Sequence, residues 1–141
     1  MSAIQFHFLR TGFNLKKRTE LKNYISNIFK KEKRRLRSLE FIFCSDDYLL
    51  RINRQFLNHD YYTDIISFDL SDETPGIVGE IYISIDRVKE NASRLGITFR
   101  EELHRIMIHG ALHLCGYKDK FRKQIQLMRE KEDFYLRRYL S

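Results

Sequence analysis

The chain has 141 residues, of which 43% are hydrophobic and 32% charged, with eleven Phe, eight Tyr and a formal net charge of +7. That length fits one domain over residues 1–141, and the apolar content is enough for a packed core, which argues against a disordered chain. No apolar run approaches the ~18 residues of a membrane helix, and Met1 to Leu9 lacks the basic start, apolar stretch and cleavage site of a signal peptide, so a cytoplasmic protein with no membrane partner is expected.

The elements follow from hydrophobic spacing. Ile4 to Phe8 alternates polar and apolar residues and predicts a strand. Lys16 to Lys33 places Leu21, Tyr24, Ile25, Ile28 and Phe29 at helical spacing, an amphipathic helix with a basic outer face. Leu39 to Cys44 is a short apolar strand. Asp46 to Leu57 predicts a helix capped by Ser45, with Leu49, Ile52 and Phe56 inward. Ile65 to Leu70 and Ile77 to Ile85 read as strands joined by the Ser71–Gly76 turn. Arg87 to Leu95 predicts a short helix ended by Gly96. Thr98 with Glu101 has capping-box spacing and opens a helix that runs from Arg100 to about Leu114 and stops at Gly116. A last helix covers Phe121 to Tyr139. The expected class is α+β: a small mixed four-stranded sheet with helices mainly on one face and the 100–114 helix central. That helix is apolar on most sides and is predicted to be buried.

Charge is unevenly spread. Residues 1–40 hold eleven Lys/Arg against three Glu, residues 41–80 hold two Arg against eight Asp/Glu, and residues 118–141 hold eight Lys/Arg against four Asp/Glu. Basic ends around an acidic middle suit a polyanion, with Lys30, Lys31, Lys33 and Arg34 as the candidate contact run; they equally suit a solvated helix face. Cys44 and Cys115 form no CxxC pair and read as two buried thiols in a reducing compartment.

Chemistry concentrates in the buried helix. His109 and His113 are four residues apart, so their side chains share one face. Gly116 then releases the chain, and Asp119 follows six residues after His113. Two imidazoles and a carboxylate leave a coordination position for water, the composition of a catalytic zinc site. Two core histidines with backbone partners are the alternative. Buried imidazoles need partners, and the glycine break and placed carboxylate favour the metal. Gly110 stands where an HExxH peptidase has its glutamate base, which argues against peptide hydrolysis and, with the basic ends, favours phosphodiester cleavage. His104 is read as surface or core-edge, His7 as unpartnered, and Cys115 as packing. The polar loop Asn58 to Asp64, with His59 and Asp60, is a candidate to line the site.

These residues resemble the YbeY family of bacterial endoribonucleases. The family's H-G-x-L-H-L-x-G-Y-D-H is met by His109-Gly110-Ala111-Leu112-His113-Leu114-Cys115-Gly116-Tyr117-Lys118-Asp119. Asn53 with Thr63-Asp64-Ile65-Ile66-Ser67-Phe68, and Gly79-Glu80-Ile81-Tyr82-Ile83-Ser84, look like two further family blocks. The resemblance implies a zinc-dependent, single-strand-preferring endoribonuclease with one zinc held by His109, His113 and Asp119. It implies work in ribosomal RNA maturation at the 3′ end of the small-subunit RNA, and in ribosome quality control, with ribosomal RNA and the small subunit as partners. The chain departs from the pattern at three places. Asp119 replaces the third histidine, Leu57 replaces an arginine linked to catalysis or RNA binding, and Tyr62 replaces a proline. His59 is the candidate replacement for the arginine. Two other functions compete: an RNA-binding ribosome-assembly factor with weak or lost cleavage, for which Leu57 speaks, and a zincin-like metallopeptidase, against which Gly110 speaks.

Overall fold

A computed structural model describes residues 2–10 and 12–141. Their elements run β1 (Ile4–Phe8), α1 (Arg18–Lys31), β2 (Leu36–Cys44), α2 (Asp46–Leu57), β3 (Ile65–Asp69), β4 (Ile77–Ser84), α3 (Ile85–Leu95), α4 (Phe99–Leu114) and α5 (Arg122–Leu140). The strands form one sheet in the order β1-β2-β4-β3. β1 pairs parallel with β2 and β2 parallel with β4, while β3 pairs antiparallel with β4 and forms an edge. The α+β class and the mixed four-stranded sheet are as the sequence predicts.

Alternation along the strands divides the sheet faces. Ile4, Leu39, Phe41, Phe43, Ile81 and Ile83 point to the main core, where they meet Leu21, Ile25 and Phe29 of α1 and Met107, Ala111 and Leu114 of α4. Each Leu, Ile, Phe or Met side chain among these contributes about 1.5–3 kcal/mol when fully buried. Among the described residues only α2 packs on the opposite face, where Leu49 meets Cys44 and Ile66. Beyond α2 that face mixes Ile42 and Val78 with polar residues, and His7 Nε2 lies 2.9 Å from Glu40 Oε1. The expectation that His7 lacks a partner is therefore corrected. Glu40 sits on the neighbouring strand beside it, a pairing visible only in the sheet register.

The caps explain several boundaries. Ser45 Oγ accepts from the Tyr48 amide at the start of α2, and Thr98 Oγ1 accepts from the Glu101 amide at the start of α4. Ser84 Oγ accepts from the Arg87 amide, so α3 begins at Ile85, where the sequence extends the strand. β2 starts at Leu36 rather than Leu39, because Leu36 and Ser38 pair with Ile77 and Val78 across a register irregularity. Phe56 is not inward. It lies on the last turn of α2, reaches only the edge strand at the ring of Phe68, and remains 60% exposed.

Gly110 has a packing role. A methyl group there would lie 2.9 Å from Ile81 Cδ1 and 3.0 Å from Ile65 Cδ1. Its missing side chain lets α4 approach β3 and β4, so position 110 faces the sheet.

His104 corrects another expectation. It is 5% exposed rather than at the surface, because α5 folds over it and Tyr139 meets its ring edge-on at 4.9 Å. Burial, and then the charge of Arg100, push its pKa down to about 4. Below pH 6.5 the unfolded chain takes up this proton and the folded chain does not until about 4. Stability is therefore expected to fall as pH falls through that window, by about 3 kcal/mol at most for this group. His104→Leu should remove that part of the loss. Urea unfolding of both proteins at pH 7 and near pH 4.5 checks it, and an equal loss in both would refute the assignment.

Candidate metal centre

The site is built from one helix, the turn that ends it and a second helix packed across it. His109 and His113 sit one turn apart on α4, with ring centroids 4.5 Å apart and planes at 84°. Their neighbours Ile108, Ala111 and Leu112 are buried, which locks the helix and leaves the two imidazoles at the edge of a cleft. After Leu114 the chain turns at Gly116, whose φ of 108° suits glycine. The turn swings Asp119 back over the histidines. Asp119 Oδ2 lies 3.4 Å from His109 Nε2 and 3.2 Å from His113 Nε2.

Both rings have their other nitrogen committed. His109 Nδ1 lies 2.5 Å from Glu132 Oε2 on α5, and His113 Nδ1 lies 2.9 Å from the carbonyl oxygen of Tyr117. An Nδ1–H that donates to these acceptors leaves each Nε2 with its lone pair turned toward Asp119. Glu132 is itself held, since Arg105 Nη1 donates to its Oε1 at 3.1 Å while Arg105 Nη2 reaches Asp133 at 2.9 Å. Burial works against a charged His109. The Glu132 hydrogen bond and the charges of Glu132, Asp119 and Asp64 together outweigh it, so the His109 pKa lies above its ordinary value.

This donor set suits zinc. Ligands around a tetrahedral ion with bonds of ~2.1 Å stand roughly 3.4 Å apart. The three ligand atoms all lie within 4.8 Å of one another, and two of the three separations match that edge. A carboxylate and a backbone carbonyl behind the histidines are the usual outer partners of metal-bound imidazoles.

A cleft of about 470 Å³ opens beside these atoms, between β3 and α4. Thr63, Asp64 and Ser67 line one wall and His109, His113 and Asp119 the other. Of the polar loop read as a candidate lining, its last two residues, Thr63 and Asp64, reach the cleft. His59 does not. Its ring stacks on Tyr61 at 5.1 Å, and Tyr61 Oη lies 3.0 Å from its Nδ1. Asp64 Oδ2 accepts from Asn91 Nδ2 at 3.2 Å, and burial raises its pKa above the ordinary carboxylate value. Lys30, Lys31, Lys33 and Arg34 are exposed at and beyond the end of α1 and line no part of this cleft. Lys31 Nζ lies 4.7 Å from the Phe134 ring centroid. Cys115 is buried and its thiol is pushed up to about 12, chiefly by burial, so it is packing and not a thiolate donor.

Glu132 is a functional candidate that the sequence reading missed, and Asp64 was read only as part of a loop lining the site. For Glu132 a signal existed. Met128, Glu132, Tyr135 and Leu136 all fall on the buried face of α5, and a carboxylate on an apolar stripe needs a partner.

A model of the family described as Endoribonuclease YbeY matches residues 10–140. The chain belongs to the YbeY family. It is 54% identical over 123 residues to a protein named Endoribonuclease YbeY from Cytophaga hutchinsonii, covering 87% of this chain and 86% of that one. A protein of the same name from Flavobacterium psychrophilum is 50% identical over 132 residues, with 92% and 91% covered. Among solved structures, the solution structure of a Thermotoga maritima protein is similar with a TM-score of 0.67 and 34% identity, covering 94% of this chain and 87% of that chain. In this YbeY-family chain, no helix of the described residues is long and apolar enough to cross a membrane.

Proposed function

We propose that this chain is a zinc-dependent, single-strand-preferring endoribonuclease. It acts in the cytoplasm on ribosomal RNA, at the 3′ end of the small-subunit RNA, and in ribosome quality control, as one domain over residues 1–141. The observation that carries this reading is the convergence of His109 Nε2, His113 Nε2 and Asp119 Oδ2 at the wall of an open cleft, in a chain whose relatives are named endoribonucleases.

His109, His113 and Asp119 would hold one zinc ion. When bound, it supplies Lewis acidity toward a phosphoryl oxygen and lowers the pKa of water toward ~7. The chain's own residues do the rest. Glu132 and the Tyr117 carbonyl hold both imidazoles in the tautomer that presents Nε2. The buried body of α4 keeps their spacing. Asp64, desolvated and steadied by Asn91, faces the cleft as a carboxylate that accepts a proton more readily than an exposed one. It answers the lack of a base at Gly110, since a side chain at that position would point into the sheet and not into the cleft.

Purified protein should carry about one zinc per chain. It should cleave single-stranded RNA, lose the activity on chelation and recover it when zinc is returned. Cleavage that survives complete removal of metal would overturn the reading, as would protein that takes up no zinc on titration.

A further inference from the structure

The segment that joins α4 to α5 reads Lys118-Asp119-Lys120-Phe121-Arg122-Lys123. One member, Asp119, meets both histidines. The other five are exposed. Among the described residues no carboxylate pairs with Lys118, Lys120, Arg122 or Lys123, so four cations stand free around one acid. Phe121 is 62% exposed, and Lys120 Nζ lies 5.5 Å from its ring centroid. Among the described residues no core cluster includes this ring. The turn is held without the ring, because Gln124 side-chain Oε1 accepts from the backbone amides of Phe121 and Lys120 at 3.0 and 3.1 Å.

An exposed aromatic ring set among unpaired cations has the two elements of single-strand recognition. The ring offers a face on which any unpaired base stacks, and the cations track the phosphates. A duplex gains less, since its base faces are covered by their neighbours. An acidic peptide would use the cations and leave the ring idle. Phe121 follows Asp119 by two residues, so their Cα atoms are at most about 7 Å apart. A base on Phe121 therefore belongs to a nucleotide close to the phosphodiester at the histidines.

We propose that Lys118–Lys123 is a substrate-strand subsite, in which Phe121 stacks on an unpaired nucleobase of single-stranded RNA and Lys118, Lys120, Arg122 and Lys123 hold the adjoining phosphates. This rests on the ribonuclease reading above and puts the strand on the Asp119 side of the cleft. The segment also continues a basic surface. Gly116, in the preceding turn, lies next to the Arg34 guanidinium, so Lys30–Arg34 extends the path beyond the cleft.

The chain contains no tryptophan, so Phe121→Trp installs a single fluorescent reporter at the subsite. The probes are a short oligouridylate, an abasic ribose-phosphate oligomer of equal length, and the oligouridylate annealed to its complement. Oligouridylate should quench the tryptophan, and the abasic and duplex probes should not. Phe121→Ala should weaken oligouridylate binding by about tenfold or more and leave the abasic oligomer's affinity unchanged. If wild type binds and cleaves RNA while Phe121→Trp is not quenched and Phe121→Ala binds as wild type does, the subsite is refuted and the ribonuclease reading stands. Equal quenching by the abasic oligomer would also refute it, because charge alone would then account for binding. If the zinc-loaded wild type neither binds nor cleaves oligouridylate, both fall together.

Discussion

His109→Ala is expected to reduce RNA cleavage to the level of chelator-treated wild type while leaving most RNA binding intact. Its Nε2 is one of three donors that converge within 4.8 Å, and the two that remain, His113 and Asp119, make a weak bidentate site. His109 is also the candidate ligand tied to α5 through Glu132, so among the described residues its loss leaves a buried carboxylate with only arginine partners. Binding should persist because the exposed Lys/Arg surface is untouched and phosphate contacts dominate affinity for nucleic acid. Cleavage rate and oligonucleotide affinity, measured on wild type and variant purified side by side, check both halves. If His109→Ala cleaves as fast as wild type, the activity belongs to a contaminant.

Glu132→Gln is expected to lower zinc affinity by about 10–100-fold with the three candidate ligand residues unchanged. Glutamine keeps the size of the side chain and removes the charge that raises the basicity of His109. A second readout separates this from simple loosening of the fold. Zinc binds the neutral imidazole, so affinity falls as pH drops through the His109 pKa. In wild type that pKa is raised, because the Glu132, Asp119 and Asp64 interactions outweigh burial. In Glu132→Gln the pH at which zinc binding is lost should move downward, even as affinity at higher pH is reduced. Competition against a chelating dye across pH measures both. An unchanged affinity and an unchanged pH midpoint would show that Glu132 does not tune the site.

The elements and the ligand candidates were legible in the sequence because they depend on spacing over a few residues. A 3.6-residue period placed α4, its caps at Thr98 and Gly116 bounded it, and the same period put His109 and His113 on one face. Asp119 was reachable because only a glycine turn separates it from the helix. Strand alternation was likewise local, so the four-stranded α+β class could be stated from pattern alone.

Tertiary structure decided whatever required two distant segments to meet. Glu132 lies 23 residues from His109, and no local period says that α5 crosses α4 at that height. His104 looked peripheral until α5 covered it, and His7 looked unpaired until strand register brought Glu40 beside it. Gly110 read as a missing base, yet the packing of α4 on Ile65 and Ile81 shows that the position faces the sheet. The physical reason is common to all four. Helix and strand periodicity fix which residues share a face, whereas the partner of that face is set by long-range packing of the whole chain, which a local pattern does not encode.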